Sequence, residues 1–151
     1  MNEQTVENIR KAAKALDDAV ERDDREAVLN CFSEDGEVEL FGLRMRGKTQ
    51  IRDAIDWMFN TLGKIRFEPR VIMIDGDTFF EEFVLVAQRP DGSLLRVDAA
   101  EVLIYEDCRV KSLRLYFDRL ALAGFAAKGA IEKSLIHWLE QVTLKGLAGS
   151  E

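Results

Sequence analysis

Two glutamates, Glu82 and Glu101, are the residues of this 151-residue chain whose types and spacing most directly suggest chemistry. The dipeptide Asp91-Gly92 separates two runs that alternate between apolar and polar residues, the pattern of a β-hairpin. A two-residue turn there sets Pro90 opposite Ser93 and, counting outward, Glu82 opposite Glu101. Facing side chains in an antiparallel pair have their Cβ atoms about 4.5–5.5 Å apart, so two ionised carboxylates repel unless one holds a proton or a cation intervenes. A carboxyl pair of this kind titrates as a unit and keeps a proton to higher pH, the condition for general acid or base work near neutrality. A one-residue error in the turn, or a bulge, would move one glutamate to the other face, where Arg70 or Arg66 could pair with it.

The surroundings of the pair are apolar. A turn at Asp75-Gly76 places Phe67 against Val84 and Val71 against Phe80. The face carrying the two glutamates then includes Phe67, Phe80 and Val84, and is continued by Leu103, Leu115 and Phe117. These residues are expected to wall a pocket for a small hydrophobic molecule, with Trp57 at its mouth; for a helix aromatic such as Trp57, core packing is the plainer role. The opposite face carries Phe79, Phe83, Leu85, Ala100, Val102 and Ile104, so the sheet is apolar on both sides. An antiparallel sheet with one solvated face alternates more cleanly, which implies a cover. A second copy of the chain is the economical one, making a homodimer through the outer sheet face; a C-terminal helix folding back is the other.

The elements that must position these residues are legible from periodicity. Val6, Ile9, Ala13, Leu16 and Val20 recur at helical spacing. Asp23 and Glu26 have the spacing of a capping box, which predicts a short second helix to about Phe32. Glu37 to Phe41 alternates like a strand, and a loop through Arg46-Gly47-Lys48 leads to Thr49 as N-cap of a third helix bearing Ile51, Ile55, Met58, Phe59 and Leu62. From Ile65 the period becomes two, and Asp75-Gly76, Asp91-Gly92 and Asp107-Cys108 divide four strands ending near Asp118. Ile131, Leu135, Trp138, Leu139 and Val142 mark a C-terminal helix. The fold class is α+β: N-terminal helices on a strongly curved antiparallel sheet enclosing a pocket. The expected organisation is one domain over residues 1–126 with a helix and tail, 127–151, packed on it.

Charge and composition narrow the function classes. The net charge of −7, with no Lys/Arg-rich stripe, disfavours nucleic acid as a partner. No apolar run approaches the length of a membrane span, so no membrane partner is expected. Met1 to Asp24 is charged throughout and lacks the apolar core of a secretory signal. Two distant cysteines, Cys31 and Cys108, fit reduced thiols and a cytoplasmic setting. With one histidine and no ligand-spaced Cys/His pair, neither a metal nor a cofactor is expected.

Five local motifs in order, Phe32-Ser33-Glu34-Asp35-Gly36, Arg46-Gly47-Lys48 with Ile51, Asp75-Gly76-Asp77, Asp91-Gly92 and Tyr116-Phe117-Asp118, resemble the nuclear transport factor 2-like superfamily. The resemblance is closest to its SnoaL-like branch of polyketide cyclases and steroid isomerases and spans roughly residues 9–125. It implies a conical pocket between helices and sheet, often with dimerisation through the sheet. It does not carry over the known catalytic sets. The isomerase base and oxyanion tyrosine fall at Leu40 and Leu16, the epoxide hydrolase triad at Glu82, Val84 and Leu115, and only a second oxyanion acid finds a counterpart, Glu101. Two functional expectations follow: proton transfer on a hydrophobic carbonyl compound, of isomerase, cyclase or dehydratase type, with Glu82 and Glu101 as catalytic groups; or a non-catalytic small-molecule-binding or self-association domain.

Overall fold

The computed structural model describes residues 3–147 and divides after Phe117 into two compact units. In the first unit, α1 (Val6–Glu21) buries the stripe Ile9, Ala13, Leu16, Ala19 and Val20. Its first turn is capped by Thr5, whose hydroxyl accepts from the Asn8 amide at 3.1 Å. Asp23, at φ +54°, reverses the chain, and the cap of α2 (Arg25–Asn30) is Asp24, one residue beyond the expected position, accepting from the Ala27 amide at 3.0 Å.

Strand β1 (Phe32–Leu40) follows and pairs with β2 (Leu43–Arg46) through Phe41-Gly42, both at positive φ as a tight hairpin turn requires. This hairpin replaces the expected loop, and α3 (Gly47–Leu62) starts directly from it, with Arg46 rather than Thr49 at the N-cap. Lys48 reaches back to donate to the Leu29 and Phe32 carbonyls at 2.9 and 2.7 Å, satisfying acceptors at the end of α2. Four longer strands form a meander: β3 (Lys64–Asp75), β4 (Thr78–Gln88), β5 (Leu94–Glu106) and β6 (Arg109–Phe117). The sheet order is β2-β1-β6-β5-β4-β3, antiparallel except where β1 runs parallel to β6.

Two loop geometries set the register and correct the expected one. The β4–β5 connection is a three-residue loop, Pro90-Asp91-Gly92, in which the Gly92 amide donates to the Arg89 carbonyl at 3.0 Å and Gly92 sits at φ +87°. The Arg89 amide donates to the Ser93 carbonyl at 3.0 Å, so Arg89, not Pro90, stands opposite Ser93. That single extra loop residue slides β4 by one position against β5 and exchanges the faces of its side chains. Glu81 therefore opposes Glu101, and Glu82 opposes Ala100. The β3–β4 turn is centred on Gly76-Asp77, and a bulge at Arg70 shifts the register again, so Phe67 opposes Leu85 rather than Val84.

The helix-facing side of the sheet consequently carries Phe79, Glu81, Phe83 and Leu85 on β4 and Leu95, Val97, Ala99, Glu101, Leu103 and Tyr105 on β5. Phe83 is 1% exposed and meets Phe67 edge-on with ring centroids 5.3 Å apart. The second unit consists of α4 (Arg119–Ala126), capped by the Asp118 carboxylate accepting from Leu120 at 2.8 Å, and α5 (Ala130–Leu144), against which α4 packs.

Candidate active site

Three carboxyl groups from three elements converge on the helix-facing side of the sheet. Asp17 comes from α1, Glu81 from β4 and Glu101 from β5, and one carboxylate oxygen of each lies within 4.8 Å of those of the other two. The backbone brings them there for simple reasons. Glu81 and Glu101 are a directly facing cross-strand pair. Asp17 follows Ala13 by four residues and precedes Val20 by three, so it lies on the same helix stripe that α1 buries.

The frame around the acids is apolar. Phe79 and Phe83 flank Glu81 along β4, Ala99 and Leu103 flank Glu101 along β5, and Ile72 and Leu115 are their partners on the outer strands. Glu81 is 2% exposed, and its Oε1 has no hydrogen-bond partner. Asp17 and Glu101 are half-buried. Among the described residues only Lys14 opposes this charge, acting on Asp17 from the helix surface, where it is itself paired with Asp18 at 2.8 Å.

The electrostatics follow from that imbalance. Burial raises the proton affinity of Asp17, and Glu81 and Glu21 raise it further, to about 7. Burial raises Glu81, while Glu101 is pushed well above the usual carboxylate range by burial first, then by Asp17 and Glu81. Tyr105, four residues beyond Glu101 on the same face of β5, is 2% exposed with its hydroxyl unpartnered. Burial, then the Glu101 charge, holds that hydroxyl in its neutral form. Tyr105 also lines a cleft of about 300 Å³ bounded by Ala12, Ala15, Asn30, Cys31 and Cys108.

Of the residues singled out in the sequence, Glu101 lies in this cluster and Glu82 does not. Glu82 faces the opposite side of the sheet, 3.7 Å from the Arg70 guanidinium. Phe67, Leu103, Leu115 and Phe117 share the face of Glu101, whereas Phe80 and Val84 share that of Glu82. Trp57 is 42% exposed and lies off the stripe of Ile51, Ile55, Phe59 and Leu62 that α3 buries. Glu81 was displaced by the one-residue slip. Asp17 sits among other charges of α1 in the sequence, and its one distinguishing signal is that a carboxylate there falls on an otherwise apolar stripe.

The profile of the SnoaL-like domain matches residues 13–113, and the chain belongs to that family. A comparison with curated proteins finds no match. Among solved structures, a SnoaL-like polyketide cyclase, so described provisionally, from Jannaschia sp. CCS1 superposes with a TM-score of 0.71 at 12% identity, covering 85% of this chain and 99% of that one. A protein with a ketosteroid isomerase-like fold from Catenulispora acidiphila, in complex with trimethylamine, gives a TM-score of 0.69 at 17% identity over 80% of this chain and 95% of that one. SalBIII, an epoxide hydrolase/cyclase-like enzyme in pyran ring formation in the polyether salinomycin, gives 0.67 at 14% identity over 75% and 92%. The architecture is accordingly the nuclear transport factor 2-like α+β cone. Among the described residues no helix is long and apolar enough to cross a membrane.

Proposed function

We propose that this SnoaL-like domain binds a small hydrophobic carbonyl compound and moves a proton on it, with Asp17, Glu81 and Glu101 as the acid–base set. The observation that carries the reading is the convergence of the three carboxyl groups within 4.8 Å in an apolar frame. Such groups hold protons near neutrality and exchange them with a substrate at little cost in driving force. Glu101, the acid most strongly biased toward its protonated form, donates a hydrogen bond to the carbonyl oxygen. Asp17, poised to titrate at about 7, removes the proton adjacent to the carbonyl in its ionised form. The electron pair passes to oxygen as an enolate, stabilised by the Glu101 hydroxyl; the proton returns from Asp17 to the same carbon as an exchange or, where a β,γ double bond extends the enolate to a dienolate, to the γ-carbon as an isomerisation, in either case without a cofactor. The fold is one that a cyclase-like enzyme, SalBIII, also has, which is compatible with a catalytic use of this face.

The homodimer expected through the outer sheet face belongs to the same proposal. Val71 and Met73 of β3, 42% and 57% exposed, lie on that face opposite Glu82 and Phe80.

The test is exchange of the α-protons of a bicyclic ketone such as 2-tetralone into deuterated water, followed by NMR. Acceleration by the wild-type protein that is lost in Asp17→Asn and Glu101→Gln is expected. Binding of the ketone without acceleration would leave a binder and overturn the enzymatic reading.

A further inference from the structure

The three acids carry a charge that the protein does not neutralise from within. At full ionisation they hold three negative charges in a partly buried cluster, and among the described residues Lys14 is the cation that acts on it. Lys14, Asp18 and Glu21 act on Asp17 from α1, the lysine already engaged with Asp18; Tyr105 faces Glu101 along β5, and Cys31, Asp107 and Arg109 share its cleft. The buried Glu81 Oε1 and the buried Tyr105 hydroxyl are both left without partners.

We propose that Asp17, Glu81 and Glu101 form a site for one hard divalent cation, which competes with protons for the same oxygens. Three features argue for it. Oxygens within 4.8 Å of one another need draw in by only a few tenths of an ångström, through side-chain rotation, to share a single ion whose bonds run about 2.3–2.6 Å for calcium. The donor set is oxygen only, which suits hard cations such as calcium, magnesium or manganese and offers none of the nitrogen or sulfur ligands typical of zinc and copper sites. The Tyr105 hydroxyl is a neutral oxygen, buried and unpartnered on the same sheet face as Glu101, whose charge is its strongest electrostatic neighbour. It supplies a further ligand or a hydrogen bond to a metal-bound water.

This inference rests on the acid–base reading in one respect: it makes the cation a regulator of that reaction. A bound ion ionises all three carboxyls and removes the protonated acid, so metal-loaded and proton-transferring forms exclude each other. Binding is favoured at higher pH and releases protons.

The experiment is titration of the metal-free full-length chain with Mn²⁺, counting free ion by electron paramagnetic resonance, at about pH 7.5 and again at about pH 5.5. One ion per chain is expected at the higher pH. Affinity is expected to fall roughly tenfold or more at the lower pH as protons compete. It is expected to fall as much in Glu81→Gln and in Glu101→Gln, and less in Tyr105→Phe. Calorimetry in buffers of different ionisation enthalpy should show proton release. Absence of saturable binding at millimolar Mn²⁺, or binding unchanged in both glutamine variants, overturns the cation site. Failure here while the carboxyls still titrate abnormally leaves the acid–base reading standing. Ordinary carboxyl titration alongside Mn²⁺ binding does the reverse.

Discussion

Glu81 of β4 stands directly opposite Glu101 of β5, and the carboxyls of both lie within reach of Asp17 on α1. A facing pair of acids on the buried side of a sheet is costly unless protons or a cation are held there. That cost is the physical ground on which the pair is a candidate functional site.

The first consequence is a pH-dependent stability. The native Asp17 carboxyl binds its proton up to about pH 7, whereas an unfolded aspartate releases it near 4. The native state therefore holds more protons between those values, and stability falls as pH rises through that window and levels above it. Replacing Asp17 by Asn should flatten the profile and stabilise the protein at about pH 8 by roughly 1–3 kcal/mol, allowing for the partial accessibility of the group. Thermal unfolding from about pH 4 to 9 measures both effects. A wild-type curve that rises over this window contradicts the burial of the cluster.

Glu82 serves as the internal control for register. Its contact with Arg70 is long and both side chains are 46% exposed. Glu82→Gln should shift stability by less than about 0.5 kcal/mol and leave the acid titrations in place, whereas Glu81→Gln should alter them. The reverse result in carbon-detected NMR would restore the register expected from a two-residue turn.

How far the sequence carries is visible at these two neighbours. Helical periodicity located α1 and α3, and turn dipeptides located four strands, because spacing of apolar residues encodes burial directly. The face of each β4 side chain was not encoded in that way. β4 is apolar on both sides, so alternation could not fix its parity, and everything depended on whether Pro90 belonged to the strand or to the loop. Pro90 begins a three-residue turn closed by Gly92, and one residue decided between Glu81 and Glu82. The β1–β2 hairpin is hidden because β2 alternates over only four residues, Leu43–Arg46, and its turn, Phe41-Gly42, lacks the Asn-Gly or Asp-Gly signature; α4 is hidden because only Asp118 separates it from the last strand.

Phe83 tests the packing that holds the acids together. It is 1% exposed, lies on the Glu81 face and meets the Phe67 ring. Phe83→Ala should cost about 3–5 kcal/mol by opening a cavity beside Glu81, read as a fall in the denaturation midpoint. A cost below about 1 kcal/mol would show that this part of the face is solvated.

Gly63 fixes where β3 begins. It has φ +77°, and an added Cβ would lie 2.5 Å from the Gln88 carbonyl oxygen. Gly63→Ala should destabilise by more than about 1 kcal/mol through both strain and contact. Equilibrium unfolding in urea reads the loss, and an unchanged midpoint would contradict the α3–β3 junction and its approach to the end of β4.

The most direct test of the central claim is a carbon-detected NMR titration of the Asp and Glu side-chain carboxyls in the metal-free wild-type chain. Asp17, Glu81 and Glu101 are predicted to titrate above the ordinary carboxylate range and as a coupled set, with Asp17 near 7 and Glu101 well raised; Glu81→Gln should lower the other two. Three carboxyls titrating independently at about 4, as in unfolded peptides, would contradict it.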